Sequence, residues 1–294
     1  MAALQDLRRR IRSIGNIEQI TRAMEMVAIT KLRRFQERAL AARPYTEDLL
    51  HMLGRLAAVA GPAVRTHPLF VERPAGAVGI LLVTSDRGLC GPYNANVIGK
   101  MEEFVLERKG SPARFFVVGR KGYAHLARSG REVARYFAEP PLEKLDFAAA
   151  RRVAKTLVDA LVAGEVSEVH AFTTQFVSMV TTRARGERLL PIDPMALLGE
   201  EKASVGEGDT IFEPDAGSIF AGLVPRTVET EVYQLLLESL TSEYASRRVS
   251  MKNATEAAED MRGELGRRYN RARQEKITKE LLEIAAGAEA LRAA

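Results

Sequence analysis

The residues best equipped for chemistry lie in one loop. Thr84 to Asn94 reads TSDRGLCGPYN and offers a hydroxyl at Ser85, a carboxylate at Asp86, a guanidinium at Arg87 and a thiol at Cys90. It follows an apolar run, Val78 to Val83 (VGILLV). In an alternating α/β fold, the loop after the first strand is where a ligand binds. The spacing, however, matches neither a GxxxxGK[ST] phosphate loop nor a GxGxxG dinucleotide fingerprint. Ser85 lacks the GxSxG elbow that exposes a nucleophile. Cys90 has Arg87 nearby but no histidine at a predictable offset to activate it. Asp86 and Arg87 are therefore expected to hold the loop in shape, with Gly88 and Gly91 making its turns. No catalytic constellation emerges, and no catalytic residue is assigned.

The remaining reactive groups point the same way. His51, His67, His125 and His170 are far apart and show no ligand spacing such as HExxH, so no metal site and no cofactor are expected. Cys90 is the only cysteine, which rules out a disulfide within the chain and a thiolate cluster and fits a reducing compartment. The 294 residues carry a formal net charge of +5, with a pI of about 9.4. That excess suits an acidic partner without requiring nucleic acid. No apolar run reaches the roughly 18 residues of a membrane span. The N-terminus, MAALQDLRRRIRSIG, has no apolar signal core, and with Asp6 and Glu18 in its pattern it reads as mature structure.

The elements that would hold these residues fall into three parts. Residues 1–58 read as an N-terminal coiled-coil helix. Leu4, Leu7, Ile11, Ile14, Ile17, Ile20, Met24 and Val27 step by three or four and predict its seam, with Leu32 and Phe35 beyond. Pro44 is expected to bend this rod, not end it. Its outer face is basic, with Arg8, Arg9, Arg10, Arg12, Arg22, Lys31, Arg33, Arg34, Arg38 and Arg43 against Asp6, Glu18, Glu25 and Glu37. Residues 75–198 read as a central α/β domain. VGILLV and RFFVVG predict buried parallel strands, HAFTTQFVSMVTTR one or two more, and Asp146 caps an intervening helix. Residues 199–224 read as a mobile loop and connector.

Residues 225–294 read as a C-terminal coiled-coil helix with no proline after Pro225. Its apolar stripe runs from Val232, Leu236, Leu240 and Tyr244 through Met251, Ala258 and Leu265 to Ile277, Leu281 and Ile284. Such a helix is roughly 100 Å long at 1.5 Å per residue. A compact chain of this size has a radius of gyration of only about 19 Å. The helix is expected to project, to pair antiparallel with the N-terminal helix, and to end in an apolar tip (ITKELLEIAAGAEAL) sleeved by another protein. The expected fold class is thus α/β: a long antiparallel coiled coil of N- and C-terminal helices plus a central Rossmann-like domain with a mostly parallel sheet.

Three stretches together carry a family resemblance. IRSIGNIEQITRAMEMVAITKLRR (Ile11 to Arg34), LLVTSDRGLCGPYNANV (Leu81 to Val97) and SEYASRRVSMKNATEAAEDM with YNRARQEKITKELLEIAAGAEAL resemble the gamma subunit of F-type ATP synthase. The chain departs from the family pattern at Gly91 to Asn94, where GGFN is usual, at Ile29 and Thr30, and at Ala257 and Ala258. The resemblance implies a non-catalytic rotor shaft. Its partners would be the alpha and beta subunits of F1, the epsilon subunit and the c-ring of FO, with no nucleic acid and no direct nucleotide binding. It would couple ion-driven rotation of the c-ring to sequential changes in the catalytic beta subunits. The family's contacts with the alpha/beta hexamer transfer to Met24, Lys31 and Arg247 near the basic collar, and to Arg273, Gln274 and Thr278 above it. It also implies a peripheral protein on the cytoplasmic face of a bacterial plasma membrane. Two other readings compete. The Arg-rich face would suit a basic coiled-coil nucleic-acid-binding protein, which would need aromatic interleaving that is missing here. The SDRGLCG loop would suit an α/β enzyme with helical arms.

Overall fold

A computed structural model describes residues 2–60, 66–74, 76–108, 110–193, 213 and 215–293. The expected mobile loop lies largely outside the described residues. The chain divides into two compact units. One joins Met1–Ala28 to Arg248–Ala294, and the other comprises Ile29–Arg247. The elements in chain order are α1 (Ala2–Ala60), β1 (Val78–Val83), α2 (Tyr93–Glu107), β2 (Ala113–Val118), α3 (Arg120–Arg128), β3 (Val133–Phe137), a 3₁₀ turn (Leu142–Lys144), α4 (Phe147–Val162), β4 (Glu168–Phe176), β5 (Thr182–Leu190) and α5 (Ala216–Ala293).

The larger unit is built on a five-stranded sheet of order β3-β2-β1-β4-β5. β1 pairs parallel with β2 and β4, and β2 pairs parallel with β3. β5 returns antiparallel along β4. β1 is buried at every position, as a continuous apolar run predicts when both faces of a sheet are covered. Val78, Ile80 and Leu82 join Val97 and Met101 of α2, with Phe115, Val117 and Phe172, in one core. On α4, Ala150, Val153, Ala154, Leu157 and Leu161 are buried. The Asp146 cap forms as expected: the Ala149 amide donates to Asp146 Oδ1 at 2.7 Å. β3 has no counterpart in the sequence pattern. It is an edge strand with a part-exposed VARYF sequence and lacks the apolar run that marks its neighbours.

α5 starts at Ala216, upstream of Pro225. Asp215 supplies the start, because its Oδ1 accepts the Ser218 amide at 2.8 Å. Pro225 then lies inside the helix, as Pro44 lies inside α1. Phe220, Val224, Val228, Val232, Leu236, Leu240 and Tyr244 are buried at steps of four. From α1 the same unit buries Leu32, Phe35, Leu49, Leu53 and Leu56. Phe35 stacks on Tyr244 with ring centroids 5.4 Å apart. Where α5 meets β5 the contact is acidic. Arg185 reaches Glu187 at 3.2 Å and Glu238 at 3.5 Å. Burial, then the Glu187 charge, raises the Glu231 carboxyl to about 7 against the pull of Arg185. Burial also raises Glu187.

In the smaller unit the two helix segments run antiparallel: Thr21 meets Thr255, Arg22 meets Glu259, and Glu18 meets Arg262. The seam departs from the expected one. Leu4, Leu7, Ile11 and Ile14 are part-buried as predicted, but the next buried positions are Glu18, Thr21 and Ala28. Ile17, Ile20 and Val27 are exposed instead. The physical reason is periodicity. The 3.5-residue repeat set by Leu4, Leu7, Ile11 and Ile14 continues through 18, 21, 25, 28, 32 and 35. Choosing the more apolar residue at each step moves onto the adjacent row. On α5 the buried positions are Met251, Thr255 and Ala258, whereas Met261, Ile277, Leu281 and Ile284 are exposed.

Candidate functional site: a filled crevice and a basic collar

The chemistry-bearing loop sits at the carboxyl ends of β1 and β2, where a doubly wound fold takes its ligand. Here the chain fills that place itself. The first amides of α3 would ordinarily present donors to an anion. Instead the Arg120 amide donates to Asp86 Oδ1 at 3.1 Å, the Lys121 amide to the Ser85 carbonyl at 3.0 Å, and the Gly122 amide to Thr84 Oγ1 at 2.8 Å. Asp86 Oδ2 also accepts the Leu142 amide at 3.1 Å. Gly119 makes this approach possible. Its φ is +95°, and a Cβ there would lie 2.0 Å from the Thr84 carbonyl oxygen.

The loop is closed internally. Ser85 Oγ donates to the Arg87 carbonyl at 2.6 Å, and the Ser85 amide donates to Asn94 Oδ1 at 3.0 Å. Asn94 Nδ2 donates to Cys90 Sγ at 3.2 Å. Leu89 (φ 62°) and Gly91 (φ 56°) take the left-handed turns, so Leu89 does the work expected of Gly88. Asp86 shapes the loop as expected; Arg87 does so through its carbonyl. The partners of Cys90 are Ser85, the Arg87 carbonyl and Asn94, none of them a base. Burial pushes its thiol pKa up, so it is held as an inert thiol and not a nucleophile.

α5 covers this loop with a stripe of small and polar side chains. Ser239 Oγ accepts the Thr174 amide at 3.3 Å, and Ser242 Oγ donates to the Thr174 carbonyl at 3.0 Å. One turn on, Ser246 Oγ donates to the Cys90 carbonyl at 2.7 Å. Arg247 donates to the carbonyls of Arg87 (3.4 Å) and Gly88 (3.3 Å) and pairs with Glu243 at 2.6 Å. Both side chains of that pair are buried. Burial raises Glu243 to about 7, against the pull of Arg247. Ser239, Ser242 and Ser246 recur at helical spacing. That stripe is the signal sequence reasoning missed: hydroxyls on one helix face that satisfy the amide and carbonyl of Thr174 near the end of β4 and the Cys90 carbonyl in the loop.

The collar residues are placed as follows. Lys31 Nζ donates to Glu143 Oε2 at 2.6 Å and to the Tyr244 hydroxyl at 3.3 Å. Tyr244 in turn donates to Glu143, and burial, then Glu143, raises its pKa. Lys31 and Arg247 lie over the Tyr244 ring at 5.5 and 5.0 Å. Two of the expected contact residues are thus brought together around one tyrosine. Arg247 is buried there, not displayed. Met24, in the smaller unit, is half-buried, and Arg273, Gln274 and Thr278 are exposed on α5. Among the described residues, no group of three or more His, Cys, Asp or Glu could hold a metal ion, and no helix is long and apolar enough to cross a membrane.

Comparison with known proteins fits this arrangement. A family model described as ATP synthase matches residues 3–291. The chain is similar to the ATP synthase gamma chain of Dehalococcoides mccartyi strain CBDB1, at 40% identity over 99% of this chain and 100% of that relative. It is similar to the ATP synthase gamma chain of Moorella thermoacetica, at 41% identity with the same coverage. A chain in the mitochondrial ATP synthase of Euglena gracilis (OSCP/F1/c-ring, rotational state 3) shares the fold, with a TM-score of 0.65 at 18% identity over 99% of this chain and 95% of that one. A chain of the Tetrahymena thermophila mitochondrial ATP synthase central stalk and c-ring does so with a TM-score of 0.57 at 22% identity over 80% and 99%. The paired terminal helices, the filled crevice and this likeness along almost the whole length lead to one statement: the chain belongs to the ATP synthase gamma chain family.

Proposed function

We propose that the chain is the central rotor shaft of an F-type ATP synthase. It turns with the c-ring and drives the beta subunits in sequence through their binding states. The chain itself carries no catalytic machinery. A shaft that makes different contacts with different states of a partner shifts the equilibrium between them, which is the physical requirement for coupling. The observation that carries this reading is the apolar far end of α5. Ile277, Leu281, Leu282 and Ile284 are all exposed, Ile284 at 68%. An exposed apolar run of this kind marks a surface that another protein houses.

The contacts belong to the same proposal. Arg273, Gln274 and Thr278 meet a beta-subunit loop. Met24 and Lys31 each contribute a contact to the hexamer, as do the exposed arginines of α1. Arg247 contributes from inside, by holding the Arg87–Cys90 loop that faces the partner. The epsilon subunit and the c-ring engage the α/β body, and the assembly lies at the cytoplasmic face of the bacterial plasma membrane. Charge attraction at the collar is weakly directional and suits a contact that must slide. Co-expression with alpha and beta subunits should yield a complex from which the chain co-purifies. Arg273→Glu with Gln274→Glu should lower proton pumping by reconstituted complexes more than it lowers the melting temperature of the chain. Pumping equal to wild type would remove those two contacts from the proposal.

A further inference from the structure

The N-terminal helix carries two rows of residues that could each form its seam. Ile17, Ile20, Met24 and Val27 make one, and Glu18, Thr21, Glu25 and Ala28 make the other. The rows are offset by one residue, or about 100° of rotation around the helix. Over residues 17–28 the first is the more apolar, and burial within that stretch alone would turn it inward, although the second row continues the register of Leu4, Leu7, Ile11 and Ile14. The structure does the reverse: Ile20 is 59% exposed and Ala28 is fully buried.

What opposes the apolar row is a polar layer. Thr255 Oγ1 donates to Thr21 Oγ1 at 2.8 Å, and the Thr21 hydroxyl donates in turn to the Glu18 carbonyl at 3.1 Å. The Glu18 carboxylate, only 6% exposed, meets Arg262 at 3.0 Å and Arg22 at 3.4 Å. Arg22 also pairs with Glu259. A buried charge in a helical seam contributes little net stability, but it strongly penalises any packing that leaves it unpaired. Gly15 lies beside the layer, where even a Cβ would meet the Arg262 side chain only at an ordinary 3.9 Å contact.

We infer that the Glu18–Arg262 pair and the Thr21–Thr255 pair act as a rotational selector. They hold the less apolar row of α1 against α5 and keep the Ile17–Ile20–Val27 row facing outward. This stands independently of the proposed rotor role and would hold whatever covers that row. It assigns Glu18 and Thr21 a positioning function: they decide which face the first helix displays.

The test uses the full chain with Cys90 replaced by serine and a single reporter cysteine, introduced as either Ile20→Cys or Ala28→Cys. Thiol labelling rates are measured in a native background and in one carrying Glu18→Ala, Thr21→Ala and Arg262→Ala. With the layer intact, the reporter at position 20 labels fast and the reporter at position 28 slowly. Without it the order should invert, with position 20 protected at least about tenfold and position 28 exposed. If both rates stay at their native values while the helical signal is intact, the selector is refuted. Should the alanine background lose helical signal, Glu18→Gln with Thr21→Val keeps both side-chain shapes and is read in the same way. In that background, native rates at both reporters refute the inference, and inversion supports it.

Discussion

Replacing Glu231 with glutamine should make the chain more stable in mildly alkaline solution, and the structure gives both the sign and the size. Glu231 lies on α5 against β5, facing Glu187 and Arg185, with Glu238 on its own helix also drawn to Arg185. Burial, then the Glu187 charge, raises its pKa from 4.5 to about 7. An acid whose pKa is raised by folding is penalised when it ionises. The stability it contributes is fully present below the unfolded pKa and is lost as pH rises through about 7. A shift of this size corresponds to about 3 kcal/mol, at 1.36 kcal/mol per unit. Glutamine mimics the protonated form and carries no such penalty. Urea titrations followed by circular dichroism from pH 4.5 to 8 should therefore show wild type and Glu231→Gln converging at the acid end. At pH 8 the variant should be more stable by about 3 kcal/mol. Superimposable profiles would refute the reasoning, because they would mean that the carboxylate is solvated or paired when α5 lies on β5.

Two further outcomes follow from named contacts. Arg247→Ala leaves Glu243 buried without its partner, at a cost of about 3–5 kcal/mol, and frees the Arg87 and Gly88 carbonyls. Thermal melts should register the loss, and Cys90 should become labelled at a rate far above wild type. Asp146→Ala removes the cap that accepts the Ala149 amide and should cost about 1 kcal/mol, a fall in melting temperature of about 2–4 °C for a domain of this size.

Much of the fold is legible in the sequence wherever one residue type has one physical use. VGILLV reads as a strand covered on both faces, and Asp146 as a cap, and both take those places. The long apolar periods at both ends announce helices that need partners. The differences share a cause as well. Local hydrophobicity favours Ile17 and Ile20 for the seam, whereas the seam keeps the 3.5-residue register of Leu4, Leu7, Ile11 and Ile14 and carries a buried glutamate whose partner, Arg262, lies on the other helix. Arg247 reads as a surface arginine until Glu243 and two loop carbonyls are brought to it. Pro225 looks like the start of α5, although Asp215 and Ser218 form a cap upstream. In each case the deciding partner is remote or the local signal is short. The grouping of Lys31 and Arg247 over one ring is not legible, because Tyr244 and Glu143, which organise it, give no sign beyond their own helical and loop positions.

The occupied crevice has a consequence for control. Ser239, Ser242, Ser246 and Arg247 reach it on a helix covalently joined to the body they cover, and Asp86 satisfies the donors a phosphate would seek. A diffusing metabolite competing for that place faces a tethered rival whose local concentration never falls. A ligand could enter that place only after Asp86 and α5 give up the hydrogen bonds they make there.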